Sequence, residues 1–275
     1  MALMTGEEYV ESIRKLNLNV YMFGKKIACP ADHPILRPSL NSVKATYDLA
    51  QDPQYEELMT ATSSLTGKKI NRFLHIHQST KDLMDKVKMQ RLLGQQTGAC
   101  FQRCVGMDAF NAVFSTTFET DQKYGSSYHK NFIEYAKYCQ ENDLTVDGAM
   151  TDPKGDRGLA PHAQEDPDLY LRVVERREDG IVVRGAKAHQ TGAINSQEMI
   201  VMPTVSMKPE DKDYAVAFVR CSPPQPQPPR SAHLRRPLYI RRSFVCGIRQ
   251  TALPALPHTR FLRLRKSAHS AQIHR

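Results

Sequence analysis

The sequence predicts an α+β protein with a helical region at residues 1–145 and a small antiparallel β domain at residues 146–220. Apolar residues recur at helical spacing behind capping signals through about the first 140 positions. After Gly148 the apolar residues alternate instead, and an Asp-Gly turn separates two such runs. Beyond Val219 neither pattern continues, so residues 221–275 form a third segment.

Capping signals predict where the helices begin. A capping box pairs an N-cap hydroxyl with an acidic residue three positions later, and proline suits the first helical position. The signals are Thr5 with Glu8, Asp52 before Pro53, and Ser79 or Thr80. The apolar residues expected to form the buried faces behind them are Tyr9, Ile13, Leu16, Tyr55, Leu58, Leu83, Val87 and Leu92.

Four segments of the second region are predicted strands. Two of them, Leu169–Val174 and Ile181–Arg184, flank Asp179-Gly180 and should form a hairpin. Met199–Met202 and Ala215–Phe218 are the other two. Because all four are short and separated by turn residues, an antiparallel arrangement is expected.

Cys100 and Cys104 are the candidate metal ligands of this chain. On a helix, a spacing of four places both sulfur atoms on one face, where they could bind one metal centre. Zinc or an iron–sulfur cluster needs four ligands, so the pair would be half of a site. The alternative is that two small apolar side chains lie on a core-facing stripe.

Three glycines surround this cysteine pair, and each weakens a helix by roughly 0.8–1 kcal/mol relative to alanine. Gly94, Gly98 and Gly106 therefore indicate that something approaches the backbone closely, either a ligand or a neighbouring helix. The segment Met150–Arg157, with one proline, one glycine and mixed charges, is by composition a polar connector without a phosphate-loop pattern.

Four stretches together resemble a known family. They are Lys88–Gln95, Met107–Phe114, Met150–Arg157 and Gly185–Gly192. With the cysteine pair, they are similar to the 4-hydroxybutyryl-CoA dehydratases, also called vinylacetyl-CoA Δ-isomerases, of the flavin-containing family that includes 4-hydroxyphenylacetate 3-monooxygenase. The resemblance extends from about Met4 to about Val219. It implies an acyl-CoA dehydrogenase-like architecture whose C-terminal helical bundle we expect to be missing here.

The resemblance implies that FAD lies between two segments of the β region. Hydroxyl, amide and backbone donors near a flavin tune its potential. Taken alone, His189 would be an ordinary structural histidine; the flanking motif singles it out. The expected FAD contacts are Met150, Thr151, Asp152, Lys154, Gly155, Asp156, Arg157, His189, Gln190, Thr191 and Gly192.

The resemblance also implies a reaction: 4-hydroxybutyryl-CoA loses water to give crotonyl-CoA, with vinylacetyl-CoA isomerase activity. A 4Fe-4S cluster would act as the Lewis acid at the substrate hydroxyl. The family holds its cluster with three cysteines and one histidine, and Cys100 and Cys104 match two of these. The other two belong to a His-x6-Cys segment, but His233 and His258 are followed at that spacing by Ile240 and Arg265.

With two of four ligands, we expect this chain to be an N-terminal fragment that is inactive alone, its catalytic acid–base residues lying in the missing half. The family also implies a homotetramer acting on an acyl-CoA substrate. Two alternatives remain. One is a flavin-dependent hydroxylase of the same family, which uses no cluster. The other is a non-enzymatic protein that binds through its basic tail.

The tail differs sharply from the body in composition. Twelve of the 38 lysines and arginines lie in residues 220–275, together with eight of the 17 prolines and none of the 29 acidic residues. Such a segment lacks the apolar periodicity of a core and should be disordered. It could bind an anionic surface, be an inert extension, or be out-of-frame sequence joined after Val219; the last is favoured, and nucleic acid is not the expected partner.

The remaining features concern location. The N-terminus carries no positive and apolar secretory pattern, and no stretch is apolar enough to span a membrane. Six cysteines in such a chain are expected to be reduced thiols or metal ligands. A cytoplasmic protein is therefore expected.

Overall fold

The computed structural model describes residues 3–16, 18–177 and 180–221. These ranges contain both helices and short strands, as expected. The helices are α1 (Gly6–Arg14), α2 (Arg37–Gln51), α3 (Glu56–Met59), α4 (Thr80–Thr97), α5 (Cys104–Tyr124) and α6 (Tyr128–Glu141). The strands are β1 (Val20–Met22), β2 (Lys25–Ile27), β3 (Thr60–Thr62), β4 (Lys69–Asn71), β5 (Val146–Ala149), β6 (Arg172–Arg177), β7 (Gly180–Arg184), β8 (Glu198–Val201) and β9 (Phe218–Cys221). Within the same ranges, every helix is too short or too polar to cross a membrane.

Two predicted helix starts are confirmed. The Thr5 hydroxyl accepts a hydrogen bond from the Glu8 backbone N–H at 3.2 Å, which closes the capping box of α1. Ser79 caps α4 in the same way. The start predicted at Asp52 is wrong: its carboxylate accepts from the backbone N–H of Gln54 at 2.9 Å, a local turn, and α3 begins three residues later than predicted, at Glu56.

The predicted buried stripe of α4 is wrong at two of its three positions, whereas Leu92 is half-buried and packs against a core cluster. Leu83 and Val87 are exposed, and the buried side of the helix carries Asp85 and Met89. Asp85 faces the buried guanidinium of Arg72, with 3.8 Å between nitrogen and oxygen. This ion pair and the packing of Met89 set the rotation of the helix.

Two hairpins interrupt the region that was predicted to be helical. Strand β1 pairs antiparallel with β2, and β3 pairs with β4. The first hairpin turns through Phe23 and Gly24, both at positive φ, as the tight turns of twisted hairpins require. Asn-Gly or Asp-Gly in the sequence would have predicted this turn. Phe23-Gly24 does not, because phenylalanine rarely adopts a left-handed conformation.

The predicted antiparallel β domain needs a correction. Strands β6 and β7 do form an antiparallel hairpin, although Asp179 of its expected turn lies outside the described residues. The main sheet, however, has the order β5-β8-β9, in which β5 and β8 run parallel and β8 and β9 antiparallel. The long connection that contains the hairpin allows this parallel pairing. All residues of β5 and β8 are buried, as is usual for parallel strands covered on both faces.

The largest core cluster joins the helices to this sheet. Phe110 of α5 and Phe132 of α6 pack with Val146 of β5 and Ile200 of β8. The boundary predicted between residues 145 and 146 therefore runs through a shared core. The predicted disordered tail falls on residues 222–275, outside the described ranges.

Of the three glycines around the cysteine pair, Gly106 is the one that packs tightly. A Cβ atom there would lie 1.8 Å from the backbone oxygen of Val146, whereas nothing lies within 4 Å of one at Gly94. We expect Gly106→Ala to lower the free energy of unfolding by about 3 kcal/mol or more, because neither backbone can move without disrupting its element. Gly94→Ala is the matched control and should stabilise α4 by up to about 1 kcal/mol. Urea unfolding measures both, and equal effects would mean that Gly106 does not pack tightly against β5.

Candidate functional site

The cysteine pair does not share one helix, so the predicted helical stacking is wrong. Helix α4 ends at Thr97 because Gly98 adopts a left-handed conformation with φ of 59°. Cys104 is the first residue of α5, and Cys100 lies in the connection before it. The two thiols are nevertheless close enough for the charge of Cys100 to act on Cys104.

The three residues between the cysteines anchor this connection, which we call the cysteine loop (residues 98–104). The ring of Phe101 is buried in a core cluster with Met89 and Met107. The amide of Gln102 donates to the backbone oxygen of Ser39 at 3.2 Å. The buried side chains of Phe101 and Gln102 thus hold the loop against the core. Cys100 is exposed and Cys104 is half-buried.

Arg103 makes the third anchor. Its guanidinium is buried between the rings of Tyr47 and Phe73, at 4.6 Å from each centroid. It donates to the Thr46 hydroxyl at 2.9 Å. Because a desolvated cation between two aromatic faces is well stabilised, Arg103 fixes the backbone next to Cys104.

Burial raises the pKa of the Cys104 thiol, and the negative charge of Cys100 raises it further. The backbone N–H groups of Val105 and Cys104 at the start of α5 oppose this shift. A cation bound by both sulfurs would remove their mutual repulsion. Among the described residues, no cluster of three or more His, Cys, Asp or Glu side chains could hold a metal. The described residues around the pair thus supply at most two of the four ligands that zinc or an iron–sulfur cluster needs.

The two segments expected to bind flavin lie side by side. The backbone N–H of Ala188 donates to the Thr151 oxygen at 2.8 Å. The Gln190 side chain donates to the same oxygen at 3.4 Å. We call residues 150–157 the flavin loop and residues 189–192 the flavin turn.

A buried ion pair joins the flavin loop to the segment between β7 and the flavin turn. Lys187 Nζ lies 2.6 Å from the Asp152 carboxylate and donates to the backbone oxygens of Met150 and Met202 at 2.9 and 2.8 Å. Both charged side chains are buried. Burial lowers the pKa of Lys187, and the bond to Asp152 opposes that shift.

The expected flavin contacts fall into three groups by exposure. Asp152, Gln190 and Gly192 are buried, and the bonds of the first two side chains are to other parts of the chain. Thr151 and Gly155 are half-buried. The exposed side chains are those of Met150, Lys154, Asp156, Arg157, His189 and Thr191. The exposed group is the one available to a ligand, whereas the buried group shapes the segments.

Asn195 links the flavin turn to the cysteine loop. Its side-chain amide donates to Gln102 Oε1 at 2.7 Å and to the Ser39 hydroxyl at 2.9 Å. Its backbone oxygen accepts from the Tyr9 hydroxyl at 2.7 Å. Because its backbone N–H donates to the Gly192 oxygen at 2.9 Å, Asn195 connects the cysteine loop and the flavin turn by hydrogen bonds.

Asp147 on β5 lies beneath the flavin turn. Its side chain is 3% exposed, and burial raises its pKa to about 7, opposed only by the backbone N–H of Gly148. A Cβ atom on Gly192 would lie 2.7 Å from the carboxyl carbon, so the glycine permits this contact.

Sequence reasoning missed five residues of this site: Gln102, Arg103, Asp147, Lys187 and Asn195. Two of them, Arg103 and Lys187, are charged residues inside motifs rich in small and apolar residues. That contrast is a signal of a buried, paired charge. Asp147 carries the same signal, between Val146 and Gly148 in a short apolar strand.

Comparisons with known proteins cover most of this chain. The family model described as 4-hydroxyphenylacetate 3-hydroxylase N terminal matches residues 5–222. The 4-hydroxybutyryl-CoA dehydratase/vinylacetyl-CoA-Delta-isomerase of Clostridium aminobutyricum is 74% identical over 216 residues, which are 78% of this chain and 44% of that protein.

Two solved structures are similar over 80% of this chain and 44% of theirs. An oxygen-tolerant archaeal 4-hydroxybutyryl-CoA dehydratase from N. maritimus has a TM-score of 0.78 at 53% identity. The oxygenase component of 4-hydroxyphenylacetate 3-monooxygenase, complexed with FAD, has a TM-score of 0.64 at 26% identity. The chain thus spans less than half the length of these relatives. By its family match over residues 5–222, the chain belongs to the 4-hydroxyphenylacetate 3-hydroxylase N-terminal family.

Proposed function

We propose that this chain forms the flavin-contacting and cluster-facing part of a 4-hydroxybutyryl-CoA dehydratase that also isomerises vinylacetyl-CoA. The 74% identity to the Clostridium aminobutyricum enzyme carries this proposal. The oxygenase relative is only 26% identical, which favours dehydration over hydroxylation. The substrate would be 4-hydroxybutyryl-CoA and the product crotonyl-CoA, on an acyl-CoA dehydrogenase-like fold.

FAD is the first proposed cofactor. A related structure is complexed with FAD, and the flavin loop and flavin turn here are adjacent. The exposed cations Lys154 and Arg157 would hold the pyrophosphate, and His189 and Thr191 would face the ring. Flavin supplies one-electron chemistry when bound. The chain's own part is to hold these donors in place through the buried Lys187–Asp152 pair.

A 4Fe-4S cluster is the second proposed cofactor. Cys100 and Cys104 lie on a loop anchored by buried side chains, and repulsion between the two thiolates favours a shared cation. They would supply two of four ligands. When bound, such a cluster supplies a Lewis acid for the departing hydroxyl. Because Asn195 connects the cysteine loop with the flavin turn, one hydrogen-bonded framework would hold both cofactors.

Anaerobic reconstitution of the 275-residue chain with iron, sulfide and FAD tests this proposal without an activity assay. We expect FAD affinity weaker than about 1 µM, since part of the cleft belongs to the relatives' further length. Iron should bind substoichiometrically and be lost in Cys100→Ala and Cys104→Ala. Cys29→Ala is the control, because Cys29 bonds to Asp32, outside the cysteine loop. Iron binding that survives both cysteine substitutions would contradict the ligand assignment.

A further inference from the structure

Asp147 is a buried acid that none of the proposed chemistry uses. It lies in the middle of β5, its side chain is 3% exposed, and Oδ2 has no hydrogen-bond partner among the described residues. An unpaired buried oxygen is costly, particularly when it carries charge. Its retention next to the flavin turn therefore needs an explanation.

Asp147 is enclosed by a strand, a helix and the flavin turn. Its own strand is hydrogen-bonded to β8 and is pressed against α5 at Gly106, where a Cβ atom would clash. The remaining neighbour is Gly192 of the flavin turn, whose Cα packs on the carboxyl group. The turn is also strained, because His189 has a φ of 57°, a left-handed value that is unfavourable for residues other than glycine. A change at Asp147 would thus act on the turn.

The charge of Asp147 changes close to neutral pH. Burial raises its pKa to about 7, and the only opposing effect is the backbone N–H of Gly148. The elements packed against it carry the titratable residues Glu198 on β8, Cys104 and Asp108 in the first turns of α5, and His189 in the turn. None of these contributes to the shift. The carboxyl group therefore responds to its own burial and not to a charged partner.

We propose that Asp147 is a positioning residue for the flavin turn, holding it in the described conformation when protonated and displacing it at Gly192 when ionised. This inference deepens the proposed function and rests on its flavin half, not on the cluster. The ionised carboxylate requires donors or water at Oδ2, and the strained turn is the neighbour that can move to admit them. Proton uptake at Asp147 then sets how well the turn presents His189 and Thr191 to the ligand.

The first test needs no ligand. In the full chain labelled with ¹⁵N-glycine, the Gly192 amide resonance should shift between pH 6 and 8, and the shift should vanish in Asp147→Asn, which has the same shape but no proton to lose. Asp143→Asn is the matched control. Asp143 is equally buried and also has an unpartnered oxygen, but its other oxygen accepts from Met4 N. A Gly192 resonance that ignores pH, or titrates unchanged in Asp147→Asn, overturns the proposal.

The second test measures FAD binding by fluorescence across the same pH range. If only the protonated form presents the turn correctly, the dissociation constant should be about tenfold larger at pH 8 than at pH 6. Asp147→Asn should remove this dependence and Asp143→Asn should retain it. A pH-dependent constant in Asp147→Asn counts against the inference. A chain that binds no FAD at any pH contradicts the proposed flavin site instead, and the Gly192 resonance then still decides the role of Asp147.

Discussion

Replacing Lys187 with methionine is expected to lower the free energy of unfolding by about 3–5 kcal/mol. The substitution leaves the Asp152 carboxylate buried without its partner at 2.6 Å, and it removes the donor to Met150 and Met202. Desolvation of that unpaired charge is the main cost. Urea unfolding at neutral pH measures the loss.

The double variant Lys187→Met with Asp152→Leu separates this cause from simple packing. Removing both charges should recover most of the stability, because no unpaired buried charge remains. Thr204 donates to Asp152 at 3.2 Å and would lose only that bond. A loss of unfolding free energy below about 1 kcal/mol in Lys187→Met is typical of a surface ion pair. Such a result would mean that the Lys187–Asp152 pair does not hold the flavin loop.

Asp147 should make the folded chain less stable as pH rises from about 4 to 7. Its pKa is raised from 3.8 to about 7, so between these values the folded state binds a proton that the unfolded state has lost. The contribution of protonated Asp147 to the free energy of unfolding is therefore full below pH 4. It declines through this window and is gone above pH 7. The shift corresponds to about 4 kcal/mol at most.

Unfolding free energies of the wild type and Asp147→Asn at several pH values test this dependence. The difference between the two should change by up to about 4 kcal/mol across the window, with the asparagine variant gaining relative stability at higher pH. Asp156→Asn, at an exposed carboxylate of the same site, should follow the wild type. Parallel curves for wild type and Asp147→Asn would mean that the carboxyl group is ionised throughout.

Local signals predicted the features that depend on local geometry. The capping boxes at Thr5 and Ser79 are correct because a cap is completed within four residues of chain. The hairpin around residue 179 is correct for the same reason. The parallel pairing of β5 with β8 could not be predicted from local signals. It joins residues about fifty positions apart, and because every residue of both strands is buried, neither strand alternates between buried and exposed positions.

In the candidate site, too, local sequence predicted some features and distant contacts determine the others. The motif positions identified two cysteines and two flavin segments, and the structure brings both pairs together. It does so through residues whose importance appears only in three dimensions. Arg103 is a core residue because Tyr47 and Phe73 enclose it, and Gln102 is a bridge because Asn195 lies opposite. The helical stacking of the cysteines was wrong because one left-handed glycine, Gly98, ends the helix first.

We propose that Cys100 and Cys104 belong to the site of a 4-hydroxybutyryl-CoA dehydratase. Crotonyl-CoA formation by a chimera tests it most directly: residues 1–219 of this chain replace the matching residues of the Clostridium aminobutyricum enzyme. We predict that the chimera converts 4-hydroxybutyryl-CoA, that Cys29→Ala leaves this activity intact, and that Cys100→Ala or Cys104→Ala abolishes both activity and bound iron. An active chimera lacking both cysteines, or one that is folded and fully loaded with both cofactors yet inactive, would contradict the claim.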